Sequence, residues 1–130
     1  MIELKLVHPK DLTDDDIAWL ATGCKGSFDG TTPLGIVHLA LEGEAGIHRI
    51  TGDAEGVVVL EPHGKTFTIT ALAGRNVLRH FGAVHDAILA TAKKAGAEKV
   101  NGFVTRAGLS ALYKKRTNAR LVPMFIEDIP

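Results

Sequence analysis

Cysteine occurs once in these 130 residues, at position 24, so no internal disulfide can staple the fold. No second thiol or closely spaced histidine pair gives Cys24 the spacing of a metal site. An idle or buried thiol in a reducing compartment is the expectation. Aromatic residues are also scarce, with one Trp, one Tyr and five Phe, which leaves few surfaces on which bases could stack. No apolar run approaches the roughly 18 residues that cross a bilayer, and the first residues lack the basic, apolar and small-residue succession of a signal peptide. A soluble, cytoplasmic protein without a membrane role is therefore expected.

Excess charge is missing too, because fifteen Lys/Arg balance fifteen Asp/Glu. Zero net charge argues against a dedicated nucleic-acid binder. The balance is nonetheless uneven along the chain. Residues 1–74 hold five Lys/Arg against eleven Asp/Glu, and residues 75–130 hold ten against four. Two solvated faces that attract each other explain this polarity, and a basic surface for phosphates or an acidic partner is the sharper alternative. Lys114, Lys115, Arg116 and Arg120 would carry a nucleic-acid role, which the neutral charge makes the weakest of the function classes.

What is present is a succession of short amphipathic elements, enough for one domain over residues 1–130. "IELKLV" reads as a strand ended by His8-Pro9. "TDDDIAWLATG" reads as a helix with Thr13 as cap, three carboxylates in its first turn and Gly23 as its stop. "TTPLGIVHLALEGEAG" repeats this with Thr32 as cap and Pro33 at the first helical position. "IHRI" is a possible short strand, and "GVVVLEPHGKTFTITALAG" is a hairpin turning near Pro62 to Gly64.

Val77, Phe81, Val84, Ile88, Ala92 and Ala95 then form one stripe, which predicts a long helix capped by Asn76 and ended by Gly96. A strand in "KVNGFVT", a basic helix in "AGLSALYKKRTNAR" and a closing strand in "LVPMFIEDI" complete an α/β order.

This order resembles the GCN5-related N-acetyltransferase (GNAT) superfamily over nearly the whole chain. "ILATAKKAGAEKV" is similar to the end of that family's long helix and the strand after it. "RAGLSALYKKRTNARLV" resembles its next stretch, usually N-x-x-A-x-x-L-Y-x-x-x-G-F. The resemblance implies a mixed central sheet flanked by helices. It also implies a role for Tyr113, where the family often places a general acid for the leaving thiolate.

The departures fall on the chemistry. The family holds the pyrophosphate of acetyl-CoA with an R/Q-x-x-G-x-G/A loop, since backbone N–H groups reach phosphate only where side chains do not obstruct. Here the stretch is "RNVLRHFGA", and the apolar stripe beginning at Val77 predicts helix where that loop should be. Gly74, Arg75, Asn76, Arg79 and Gly82 are the candidate cofactor-binding residues that remain, with the two arginines able to bind anions by side chain. Arg106 stands where asparagine is usual, and Thr117-Asn118 replaces Gly-Phe.

A catalytic base is not evident. "TFTITALA" has no acidic residue, Glu61 sits near the hairpin turn and is expected to be solvated, and His80 and His85 are candidates only by neighbourhood. Tyr113 is expected mainly to pack on the sheet.

Small phage proteins, including the internal virion protein A family of podoviruses and related head-assembly proteins, resemble compact GNAT folds without the glycine loop. This chain is similar to them in size and order. That resemblance implies a non-catalytic virion-associated or head-assembly protein with no cofactor. It would work through contacts with capsid, portal or tail proteins, inside the bacterial host or the virion, with Trp19 and Phe28 among its contact residues. The alternative is an acetyl-CoA-dependent N-acetyltransferase with an atypical pyrophosphate loop.

Overall fold

The computed structural model describes residues 1–25, 30–103 and 109–120, with Val122, Glu127 and Ile129. The expected closing strand over 121–129 falls almost wholly outside these residues, as do Phe28 and Arg106. The described elements follow the expected order. They are β1 (Ile2–Leu6), a 3-10 turn (Pro9–Asp11), α1 (Asp14–Cys24), α2 (Pro33–Leu41), β2 (Gly46–Gly52), β3 (Glu55–His63) and β4 (Thr66–Arg75), followed by α3 (Phe81–Lys94), β5 (Lys99–Gly102) and α4 (Leu109–Arg116). "IHRI" proves to be the middle of a seven-residue strand, so the expected hairpin is the second half of a three-strand meander.

The sheet runs β1-β2-β3-β4-β5, antiparallel except for the parallel β4–β5 pair. Strand β3 lies at its centre and explains the unbroken "GVVVL" run. Val57 and Val59 pack with Leu20 of α1 and Ile36 of α2, whereas Val58 and Leu60 pack with Val84 and Ile88 of α3. Both faces are thus covered, and alternation gives way to a continuous apolar strand. Full burial of each such side chain stabilises the fold by about 1.5–3 kcal/mol.

Two helix starts form as expected. Thr13 accepts from the Asp16 amide while the Asp16 carboxylate accepts from the Thr13 amide, a reciprocal capping box. Thr32 accepts from the Gly35 amide ahead of Pro33. The α1 stop is different from expectation. Gly23 lies inside the helix, and a Cβ there would stand 3.1 Å from the Ala71 Cβ and 3.3 Å from the Leu72 nitrogen. This glycine brings α1 close to β4, and Lys25 takes the cap position instead. Cys24, beside it, is half-buried against the α1–α2 core.

Asp16 does more than cap. It is 1% exposed and receives Arg49 Nε at 3.2 Å on one oxygen and Arg49 Nη2 on the other, tying the start of α1 to β2. Burial by itself would raise the Asp16 carboxyl. The hydrogen bonds from Arg49 and the Thr13 amide outweigh burial and hold it below the usual carboxylate range. The stability so gained is present above the ordinary carboxylate pKa and is lost as pH falls through the depressed one. Asp16→Asn keeps a cap but leaves Arg49 unpaired beside the core. Urea unfolding at neutral pH should show a loss of about 2–4 kcal/mol, and the gap to the parent should close as pH falls into the acid range.

Candidate functional site

Strand β4 is paired with β3 along its full length, but β5 accompanies it only from Thr66 to Ile69. The β3–β4 register slips at that same point: Val59 faces Ala71 while Leu60 faces Ile69, so Thr70 is an extra residue in a β-bulge. The bulge also shifts the pleat. Phe67, Ile69 and Leu72 pack toward α3, a step of two and then of three, whereas Ala71 faces α1 and α2.

A groove runs along β4 from Thr68 to Gly74, overlapping the end of its pairing with β5. It has a larger chamber of about 690 Å3, bounded by α2, the residues before it and Glu61, and a smaller one of about 190 Å3, bounded by Gly74, Val77, Phe81 and Tyr113. Gly23, Lys25, Ile69, Thr70 and Phe103 line both, so the chambers adjoin.

The loop feeding α3 corrects the sequence reading. Helix α3 starts at Phe81, not Val77, and residues 77–80 form a turn closed by the His80 amide on the Asn76 carbonyl at 3.1 Å. Asn76 is not the helix cap. It adopts a left-handed conformation, φ 63°, that turns the chain out of β4. His80 is the N-cap residue and makes no side-chain cap bond, so the first amides of α3 lack the usual side-chain acceptor. Val77 is buried because it tucks beneath the turn, not because it lies on a helix. A loop therefore does occupy the place that the apolar stripe assigned to helix.

The candidate residues divide accordingly. Gly74 lines the smaller chamber, but its lack of a side chain has a structural cause: a Cβ there would lie 2.0 Å from the Glu55 carbonyl oxygen, where β3 and β4 meet at Gly56 and Gly74. Gly82 is the opposite case, since a Cβ would meet nothing within 4 Å. Arg75 pairs across the ladder with Glu55 at 3.7 Å, while exposed Arg79 has no ion pair among the described residues. Arg75, Asn76, Arg79 and Gly82 do not line either chamber; they lie in the segment that leads from Gly74 into α3.

Tyr113 packs edge-on against Phe81 and His85 of α3, with ring centroids 5.0 and 5.5 Å away. It also lines the smaller chamber, and burial raises its phenol pKa, which keeps it protonated. At the α4 end Thr117, in place of glycine, donates its hydroxyl to the Tyr113 carbonyl at 2.6 Å.

Glu61 departs from the solvated role expected of it. Its side chain is 21% exposed, it lines the larger chamber, and His63 Nε2 stands 3.4 Å from it. His85 is 7% exposed and stacks on Phe81, and burial lowers its pKa although Asp86 opposes this, so it is a neutral core histidine. The residue that sequence reading missed is Thr70. Its hydroxyl is buried and has no hydrogen-bond partner among the described residues, and nothing in "TFTITALA" distinguishes it from Thr66 or Thr68.

Two outcomes follow from these placements. Gly74→Ala should lose about 2–3 kcal/mol or more in urea unfolding through the clash with Glu55, whereas Gly82→Ala should be neutral or gain about 0.5–1 kcal/mol. Because burial depresses the pKa of His85, the unfolded chain takes up its proton first as pH drops below the ordinary 6.5. Stability is full above that value and falls below it. His85→Leu should flatten part of this slope in urea midpoints taken at about pH 7.5 and about pH 5.5, with half-buried His48 contributing to the remainder in the same direction.

Searches against protein-family models and against curated proteins return no match. Solved structures do match. A ribosomal-protein-alanine N-acetyltransferase from Brucella melitensis biovar Abortus 2308 superposes with TM-score 0.66 at 15% identity, covering 100% of both chains. An aminoglycoside antibiotic 6'-N-acetyltransferase from Acinetobacter baumannii gives 0.62 at 9% identity, again with 100% of both chains covered. Glucosamine-6-phosphate N-acetyltransferase from Arabidopsis thaliana gives 0.61 at 16%, covering 100% of this chain and 99% of that one. With its mixed five-stranded sheet between α1–α2 and α3, this chain has the fold of the GNAT N-acetyltransferases.

Proposed function

We propose that this chain is an acyl-CoA-dependent N-acyltransferase, acetyl-CoA being the simplest donor. The observation that carries the proposal is the pair of adjoining chambers beside the β4 bulge, with the side-chain-uncapped start of α3 beyond one end and half-buried Glu61 at the other. An uncapped helix start favours anions through its amides and dipole, and Gly82 leaves the approach open. The residues at hand thus fit a diphosphate, with Arg79 supplying a side-chain charge that Arg75 shares with Glu55.

Each reacting group has a counterpart in the groove. An amine must shed a proton to attack a thioester, and Glu61, supported by His63, is placed to accept it. The departing thiolate needs a proton, and Tyr113 stays protonated in the smaller chamber. The fold of the solved acetyltransferases is consistent with this reading.

A second reading keeps the chain as a non-catalytic virion-associated or head-assembly protein that contacts capsid, portal or tail proteins. One feature favours it: Leu78 and Phe103, 52% and 51% exposed, offer apolar surface beside the groove. The sequence argument for it was bulky side chains in place of the glycines of the phosphate loop, with helix over the same span; the turn at 77–80 removes only the second point.

Titration calorimetry with acetyl-CoA separates the two. Micromolar binding, weakened about tenfold by Arg79→Ala and less by Arg75→Ala, is expected. Silence at millimolar acetyl-CoA, together with co-elution with a capsid or portal protein, would establish the second reading instead. If an amine panel yields turnover, Glu61→Gln should lower kcat by about 10²–10⁴ with little change in the KM for acetyl-CoA.

A further inference from the structure

Strand β1 is the outer strand of the sheet, and β2 satisfies only one of its edges. The direction of its remaining groups follows from the ladder. The Val7 amide donates to the Ile47 carbonyl at 2.9 Å, and the Met1 carbonyl accepts from the Asp53 amide at 3.1 Å. Backbone groups alternate in direction along a strand, so Glu3 and Lys5 also turn theirs toward β2. The N–H and C=O groups of Ile2, Leu4 and Leu6 therefore face outward, and no described residue pairs with them.

The side chains alternate as well. Ile2 and Leu4 pack toward the α3 core, while Leu6, next on that face, is 66% exposed. Glu3 and Lys5 lie on the opposite face, both exposed and neither in an ion pair among the described residues. Lys5 stands across the ladder from Arg49, a like charge, and Arg49 is committed to Asp16. A lone lysine on an edge commonly discourages pairing. Glu3, two positions away on the same face, changes its meaning, because "IELKL" laid antiparallel against itself sets each charge opposite its complement.

One register achieves this. Only outward-facing residues can share hydrogen bonds across a two-fold axis, so Ile2, Leu4 and Leu6 must oppose one another. An axis at Glu3 brings two glutamates together, and an axis at Lys5 brings two lysines together. With the axis at Leu4, Leu4 faces its counterpart, Ile2 faces Leu6, and Glu3 faces Lys5 of the other copy. That register also keeps the whole of β1 in the ladder.

We infer that β1 is a self-association edge, to which a second copy of this chain adds its own β1 antiparallel about Leu4, joining two five-stranded sheets into one. Exposed Leu6 then lies beside Ile2 of the second copy, and Lys5 gains the carboxylate that its own sheet does not supply. Strands β2 and β3 separate this edge from β4, so the groove stays open in both copies. The inference is independent of the acyl-CoA reading.

Sedimentation equilibrium on the full chain tests it. A five-residue strand pair is a small interface, so the mass should rise from 13.9 kDa toward twice that value between about 10 μM and about 1 mM. Glu3→Lys and Lys5→Glu should each weaken self-association about tenfold or more, since each sets like charges opposite at two symmetric points. Mixed together, the two variants should associate as the parent does, because every lysine of one then faces a glutamate of the other.

A parent chain that stays monomeric throughout that range overturns the inference and leaves Lys5 as a residue that protects the edge. Self-association that persists unchanged in both variants overturns it too, because another surface then joins the copies. A mixture that associates no better than either variant alone has the same consequence, since charge matching about Leu4 is then not what sets the register.

Discussion

One strand bears unequal obligations on its two edges, and the architecture follows from that. Strand β4 satisfies β3 from Thr66 to Arg75 but meets β5 only from Thr66 to Ile69. The bulge at Thr70 sits where the second partner is left behind. An extra residue bends a strand and increases its twist. A groove therefore opens along β4 where β5 leaves it, a position from which several helices can contribute residues.

The helices hold that groove open from opposite faces. On one side, the Asp16–Arg49 pair anchors the start of α1 to β2, and Gly23 near its end rests closely on Ala71 and Leu72. The helix is thus fixed at both ends, with the groove beyond its second end. On the other side, α3 packs Val84 and Ile88 into the core and carries Phe81 and His85, on which Tyr113 of α4 leans. An ion pair, a close glycine contact and an aromatic trio together fix the walls.

Similarity of fold to N-acetyltransferases of 9–16% identity shows how little of the sequence the architecture constrains. A helix start attracts anions through amides and dipole, but those amides reach a phosphate only where the preceding side chains do not obstruct it. What the loop residues control is access. Here Val77 turns inward and Leu78 outward, and the backbone between β4 and α3 forms a turn that a linear reading took for helix.

Local rules made much of the fold legible. The caps at Thr13 and Thr32, the α3 stripe from Phe81 to Ala92, its stop at Gly96 and the apolar run of β3 are each set by residues near in sequence, because capping and amphipathic burial depend on short-range spacing.

Other features depended on contacts between segments far apart in the chain. The start of α3 is set by how Asn76 turns the chain out of β4, and periodicity cannot register that turn because buried Val77 falls in phase with the helix. Gly23 and Gly74 look like a helix stop and a phosphate-loop residue, yet each lies where another backbone or side chain passes closely. Thr66, Thr68 and Thr70 are equivalent in an alternating strand. Only the register slip against β3, which depends on a neighbour's hydrogen bonds and not on the strand's own residues, singles out Thr70 and leaves its hydroxyl buried at the junction of the groove.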